Sequence, residues 1–85
     1  MKPVKYKITY PYGLRQKGDI IDVYLIANDV DDDGKGLLYH PCDNDEYSSV
    51  SIARKVGEFW IDMDEDSYVN ISTKDAQAFK RLIKS

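Results

Sequence analysis

"DIIDVYLIA", residues 19–27, decides how this chain folds. Ile21, Val23, Leu25 and Ala27 share one side of an alternating pattern, and Ile20, Tyr24 and Ile26 make the other side largely apolar as well. A period of two is the mark of a strand, and apolar residues on both faces place that strand centrally in its sheet. Upstream, "VKYKITY" (4–10) sets Val4, Tyr6, Ile8 and Tyr10 against Lys5, Lys7 and Thr9, a strand with one wet face. "PYGLRQKG" (11–18) turns the chain between the two, punctuated by Pro11, Gly13 and Gly18. Downstream, "NDVDDDGKG" (28–36) and "LLYH" (37–40) complete a hairpin with a long tip.

The second half repeats the grammar. "YSSVSIARKV" (47–56) is a weaker strand with Val50 and Ile52 on one face, and Gly57 breaks it. "EFWIDM" (58–63) is expected to turn Phe59, Ile61 and Met63 inward and Trp60 to the opposite side. "DED" (64–66) turns, and "SYVNI" (67–71) returns with Val69 and Ile71 inward. The period then changes. In "STKDAQAFKRLIKS" (72–85), Ser72 with Asp75 three residues on has capping-box spacing, and Ala76, Phe79 and Ile83, flanked by Ala78 and Leu82, form one apolar stripe. This predicts a helix over 73–84 that must dock, because a dozen residues cannot hold a helix alone. The expected fold is mainly β within the α+β class: a small antiparallel barrel of five to six strands with one C-terminal helix, spanning residues 1–85 as a single domain.

Two stretches carry a resemblance. "LRQKGDIIDVYLI" (14–26) resembles the second strand of SH3 and SH3-like barrels, where a Lys-Gly-Asp turn precedes an alternating apolar strand. "DSYVNI" (66–71) is similar to the closing Tyr-Val strand of that family. Together they cover roughly a fifth of the chain. The tryptophan expected soon after the second strand is absent, and Trp60 comes far later. The resemblance implies an SH3-like barrel, and an aromatic groove of Tyr10, Tyr12, Trp60 and Tyr68 that would take an extended proline-rich peptide.

Charge is distributed unevenly around a net value of −3. Residues 1–18 hold five cations and no acid, residues 19–66 hold fourteen acids against three cations, and residues 67–85 hold four cations against Asp75. The acids crowd into three connections: Asp29, Asp31, Asp32 and Asp33; Asp43, Asp45 and Glu46; and Asp62, Asp64, Glu65 and Asp66. On a small barrel, alternate loops gather at one end, so these carboxylates are expected to form an anionic face. Such a face would steer a protein with a basic surface and compete for a groove meant for phosphates, as small phage-borne inhibitors of host enzymes do. The expected function is therefore a non-enzymatic protein-binding module.

The alternatives have less behind them. Asp29, Asp31 and Asp33 with Gly34 reproduce the first half of a calcium loop, in which alternate carboxylates converge on a hard cation, but His40 stands where the bidentate Glu belongs. Asp62, Asp64 and Asp66 repeat the alternation without the glycine. His40 and Cys42 make half a metal site and nothing of their kind completes it. His40 with Ser48, Ser49 or Ser51 lacks any nucleophile elbow, and no phosphate-cradling glycine loop exists, so no enzyme and no cofactor are expected. Direct nucleic-acid binding is not expected, since the acidic middle opposes the basic ends. A single cysteine excludes an internal disulfide, "MKPVKYKITY" lacks a signal peptide's apolar core, and no run approaches the roughly 20 apolar residues of a membrane span. A cytoplasmic setting is the expectation, and an open strand edge offers a route to a homodimer.

Overall fold

In the computed structural model, which describes residues 1–11, 14–26, 34–42, 47–64 and 66–84, six strands precede one helix. They are β1 (Lys2–Lys7), β2 (Ile20–Leu25), β3 (Lys35–His40), β4 (Ser49–Val56), β5 (Phe59–Asp62), β6 (Tyr68–Asn70) and α1 (Thr73–Lys84). The first five strands form a closed barrel: each pairs with its successor in the chain, and β5 returns to β1. The closing pair, with Tyr6 opposite Trp60, runs parallel, which corrects the all-antiparallel expectation. Geometry requires it, because the fifth strand of an up-and-down meander travels in the same direction as the first. β6 is extra. It pairs with the first half of β4, along the edge whose second half holds β5.

The core follows the alternation of β1 and β2. Tyr6, Ile8 and Val23 are fully buried, with Leu38, Ala53 and Trp60, and Val4, Ile21, Leu25 and Tyr68 pack against them. In β5 the alternation is the reverse of the expected one. Trp60 and Asp62 point inward, while Phe59, Ile61 and Met63 are only half-buried. The cause is the indole's size. Gly36 lies directly against it, and a Cβ at that glycine would meet Trp60 at 2.8 Å and Leu25 at 2.9 Å. A five-stranded barrel has room for such a ring only where a neighbour has no side chain. The two-residue turn at Gly57–Glu58 pairs Val56 with Phe59 and so fixes this register; Gly57 takes a φ of 62°, which other residues adopt at a cost.

β4 obeys the same constraint. Its inward side chains are Ser49, Ser51 and Ala53, and its bulky Val50, Ile52 and Arg54 face out. β6 likewise turns Tyr68 toward the core and leaves Val69 59 % exposed, correcting the expectation that Val69 faces inward. Ile71 is half-buried.

The helix begins where expected. Ser72 Oγ accepts the amide of Asp75 at 3.1 Å, and its carbonyl accepts that of Ala76 at 3.0 Å. Ala76 is fully buried, and the Phe79 ring lies 5.0 Å from that of Tyr39. Tyr39 sits between two inward residues of β3, so it points out of the barrel, and α1 is what covers it. Among the described residues no helix is long and apolar enough to cross a membrane.

Candidate functional site

Because β4 buries its small residues, its large ones collect outside. Leu37 stands opposite Ile52 across the β3–β4 ladder, and Val50 stands opposite Val69 across β4–β6. Met63 joins them from the end of β5, and the five line an open groove of about 650 Å³. Ile52 is 50 % exposed there. A protein surface needs no explanation for scattered apolar residues, but a contiguous set of this kind is the feature that interaction surfaces present, which makes the groove the candidate site. Asp64, Asp66 and Ser67 supply one polar side of the groove, and Lys35 lines it from β3. The acidic turn is held by its own chain: the amide of Asp66 donates to Asp64 Oδ1 at 2.9 Å, and the amide of Ser67 to the Asp64 carbonyl at 3.3 Å.

Behind the groove, inside the barrel, lies a polar network. His40 Nε2 is hydrogen-bonded to Ser51 Oγ at 2.6 Å. The Tyr6 ring meets the imidazole edge-on at a centroid distance of 4.9 Å, and the Tyr68 ring is 4.9 Å away on another side. Tyr68 donates its hydroxyl proton to the Tyr6 oxygen at 2.6 Å. Asp62 accepts hydrogen bonds from Tyr6 and from Ser67 Oγ, the latter at 3.0 Å. Among the described residues, His40 Nδ1 and Asp62 Oδ2 have no hydrogen-bond partner. Burial lowers the His40 pKa to about 4, so the ring is neutral near pH 7. Burial raises the Asp62 pKa, aided by repulsion from Asp64 and opposed by the Tyr6 and Ser67 hydrogen bonds.

His40 and Ser51 thus form the pair that a nucleophile and its base would make, but they are not arranged to use it. Both are buried, no group among the described residues orients Nδ1, and a base this weak gives little help to a hydroxyl.

No family model, curated protein or solved structure matches the chain. The site is therefore read from its own residues. Of the acidic positions singled out in the sequence, Asp64 and Asp66 are exposed on the groove, whereas Asp62 is turned into the barrel and leaves the anionic face. The repeat of Asp62, Asp64 and Asp66 therefore does not converge on a cation, and no group of three metal-binding side chains occurs among the described residues. Asp29, Asp31, Asp32, Asp33, Asp43, Asp45, Glu46 and Glu65 lie outside the described residues, and so do the proposed calcium ligands among them. The first run ends two residues before Lys35, on the groove, while the second follows His40 at the other end of β3. Of the aromatic groove, Tyr12 lies outside the described residues, Tyr10 is half-buried, Tyr68 faces His40, and Trp60, 5 % exposed, is a core residue. His40 and Cys42 separate, one buried and one exposed.

The groove is not evident from the sequence, because turning the more numerous aliphatic residues of a strand inward buries Ile61, Met63 and Val69. The signal that could have found it was present. Ser49, Ser51 and Ala53 alternate with Val50, Ile52 and Arg54, and Gly36 stands in the preceding strand. In a barrel that must hold a Tyr and a Trp, small residues belong inside.

Proposed function

We propose that this chain is a non-enzymatic protein-binding module whose outer β3–β4–β6 face takes a polypeptide segment carrying lysine or arginine beside apolar side chains. The observation behind this reading is the contiguous outward set Leu37, Val50, Ile52, Met63 and Val69, bordered by Asp64 and Asp66. Each half-exposed aliphatic side chain that a partner covers contributes roughly 1 kcal/mol, so several together give useful affinity. The carboxylates add orientation and a faster encounter with a cationic segment more than they add affinity. The acids of residues 29–33, which precede Gly34 and Lys35 in the chain, belong to the same reading.

In its narrowest form the partner is a nucleic-acid-handling protein whose phosphate groove would be obstructed; that form rests on charge alone. An SH3-like aromatic groove is not proposed, because Trp60 is committed to the core.

Selection from a random displayed-peptide library tests the reading. Wild-type protein should enrich sequences that combine a basic residue with neighbouring apolar ones, and Ile52→Asp should lose that enrichment. Enrichment of acidic sequences, or enrichment indifferent to Ile52→Asp, would refute it.

A further inference from the structure

We propose that β6 is an acid-released clasp: a charged His40 expels Tyr68, and with it the strand that forms one wall of the groove. As regulation of that groove the inference rests on the binding reading above; as a property of the fold it stands alone.

β6 is three residues long and is held to β4 by three register pairs. A strand this short, lying outside the closed barrel, opens at lower cost than the barrel strands do. Its inward side chain is Tyr68, whose ring lies against His40 and whose hydroxyl reaches Tyr6. The imidazole is faced by Tyr6 from β1, Ser51 from β4 and Tyr68 from β6. The carboxylate of the network, Asp62 on β5, meets the Tyr6 side chain and not the imidazole. Among the described residues no salt bridge to His40 exists. A proton placed on His40 therefore creates a buried cation without a salt-bridge partner among the described residues, which must reach water or cost several kcal/mol. The cheapest route to water is to undock Tyr68, since β1 and β4 are tied into the barrel and β6 is an addition to it. Undocking displaces Val69 and loosens Ser67, both of which line the groove.

The size of the effect follows from linkage. With His40 titrating at about 4 when β6 is closed and near 6.5 when it is open, opening becomes about 20-fold more favourable between pH 7 and pH 5.

The test needs no partner. Two amides report the β4–β6 seam: Ile71, which donates to the Ser48 carbonyl at 3.1 Å, and Ile52, which donates to that of Ser67 at 3.3 Å. The amide of Ile26, which donates to Leu37 in the β2–β3 ladder, is the reference. Hydrogen exchange followed by NMR, corrected for intrinsic rates, should show the opening of Ile71 and Ile52 rising about 20-fold from pH 7 to pH 5, with an opening free energy well below that of Ile26 at both pH values. His40→Gln, which carries no titratable charge, should flatten the rise. Should that variant fail to fold, titration of the wild-type His40 ring resonances in the same samples gives the second readout, with a midpoint well below 6.5. Equal opening free energies at all three amides would mean global unfolding and would overturn the clasp, as would no acceleration of Ile71 and Ile52 or an unshifted ring titration. If the exchange result holds and peptide selection fails, only the binding reading falls.

Discussion

Gly36 and His40 are the two residues on which most depends. Gly36 gives Trp60 its place, so Gly36→Ala forces a Cβ into the indole and Leu25 at 2.8–2.9 Å. The expected loss is about 1–3 kcal/mol, the usual cost of overpacking, read as a lower urea midpoint by Trp60 fluorescence. An unchanged midpoint would mean that the core yields more easily than its contacts suggest. His40 sets the acid limit. Its folded pKa lies below that of the unfolded chain, so the folded state binds fewer protons. Stability is complete above pH 6.5 and falls as the pH drops from 6.5 to about 4, by about 3 kcal/mol in total. Asp62 has the opposite sign. Its raised pKa means that its contribution is fully present below 3.8 and is lost as pH rises through the folded value. Asp62→Asn keeps an acceptor for Tyr6 and Ser67 and removes a buried charge, so it should be at least as stable as wild type at pH 7 in the same urea assay. A drop of more than about 1 kcal/mol would show that the charge itself is needed.

At the scale of elements, α1 is held by its cap, by buried Ala76 and by the contact of Phe79 with Tyr39, among other contacts. Ser72→Ala removes the acceptor of the Asp75 amide and should cost about 1 kcal/mol, with faster exchange at Asp75 and Ala76. Phe79→Ala uncovers Tyr39 and should cost roughly 2 kcal/mol, less than a fully buried Phe would, because Phe79 is only half-buried. The helix was legible in the sequence because cap, stripe and dipole charges all agreed, and the first two strands because their alternation was clean. β5 and β6 were assigned to the right stretches but with the wrong faces inward. Hydrophobicity ranks Phe59, Ile61 and Val69 as core, whereas the barrel's narrow lumen selects by shape: it takes Trp60 beside Gly36, and Tyr68 beside His40. That choice depends on which residues meet across strands distant in sequence, and period alone does not reveal it. For the same reason the alternation does not reveal that His40, at the end of "LLYH", is interior or that Asp62, grouped with an acidic connection, faces Tyr6.

For the whole molecule, the barrel converts a packing constraint into an apolar outer face, which is the surface proposed to bind. Filling the lumen with Tyr6 and Trp60 drives Val50, Ile52 and Val69 outward, and the acidic turn at 64–66 lies beside them. The central claim is that this outward face, with its carboxylates, is where a basic polypeptide docks. Salt and substitution separate its two parts. Asp29, Asp31 and Asp33 changed together to Asn should slow association at low salt and change dissociation little. The most direct test is the affinity of a peptide selected by the wild-type protein, measured by fluorescence anisotropy at roughly 50 and 500 mM salt for wild type, Ile52→Asp, and Asp64→Asn with Asp66→Asn. The account predicts that Ile52→Asp loses at least about tenfold at both salts, while the double Asn variant loses several-fold at low salt and little at high salt. Full affinity in Ile52→Asp, or a double variant that binds as wild type does at low salt, would contradict it.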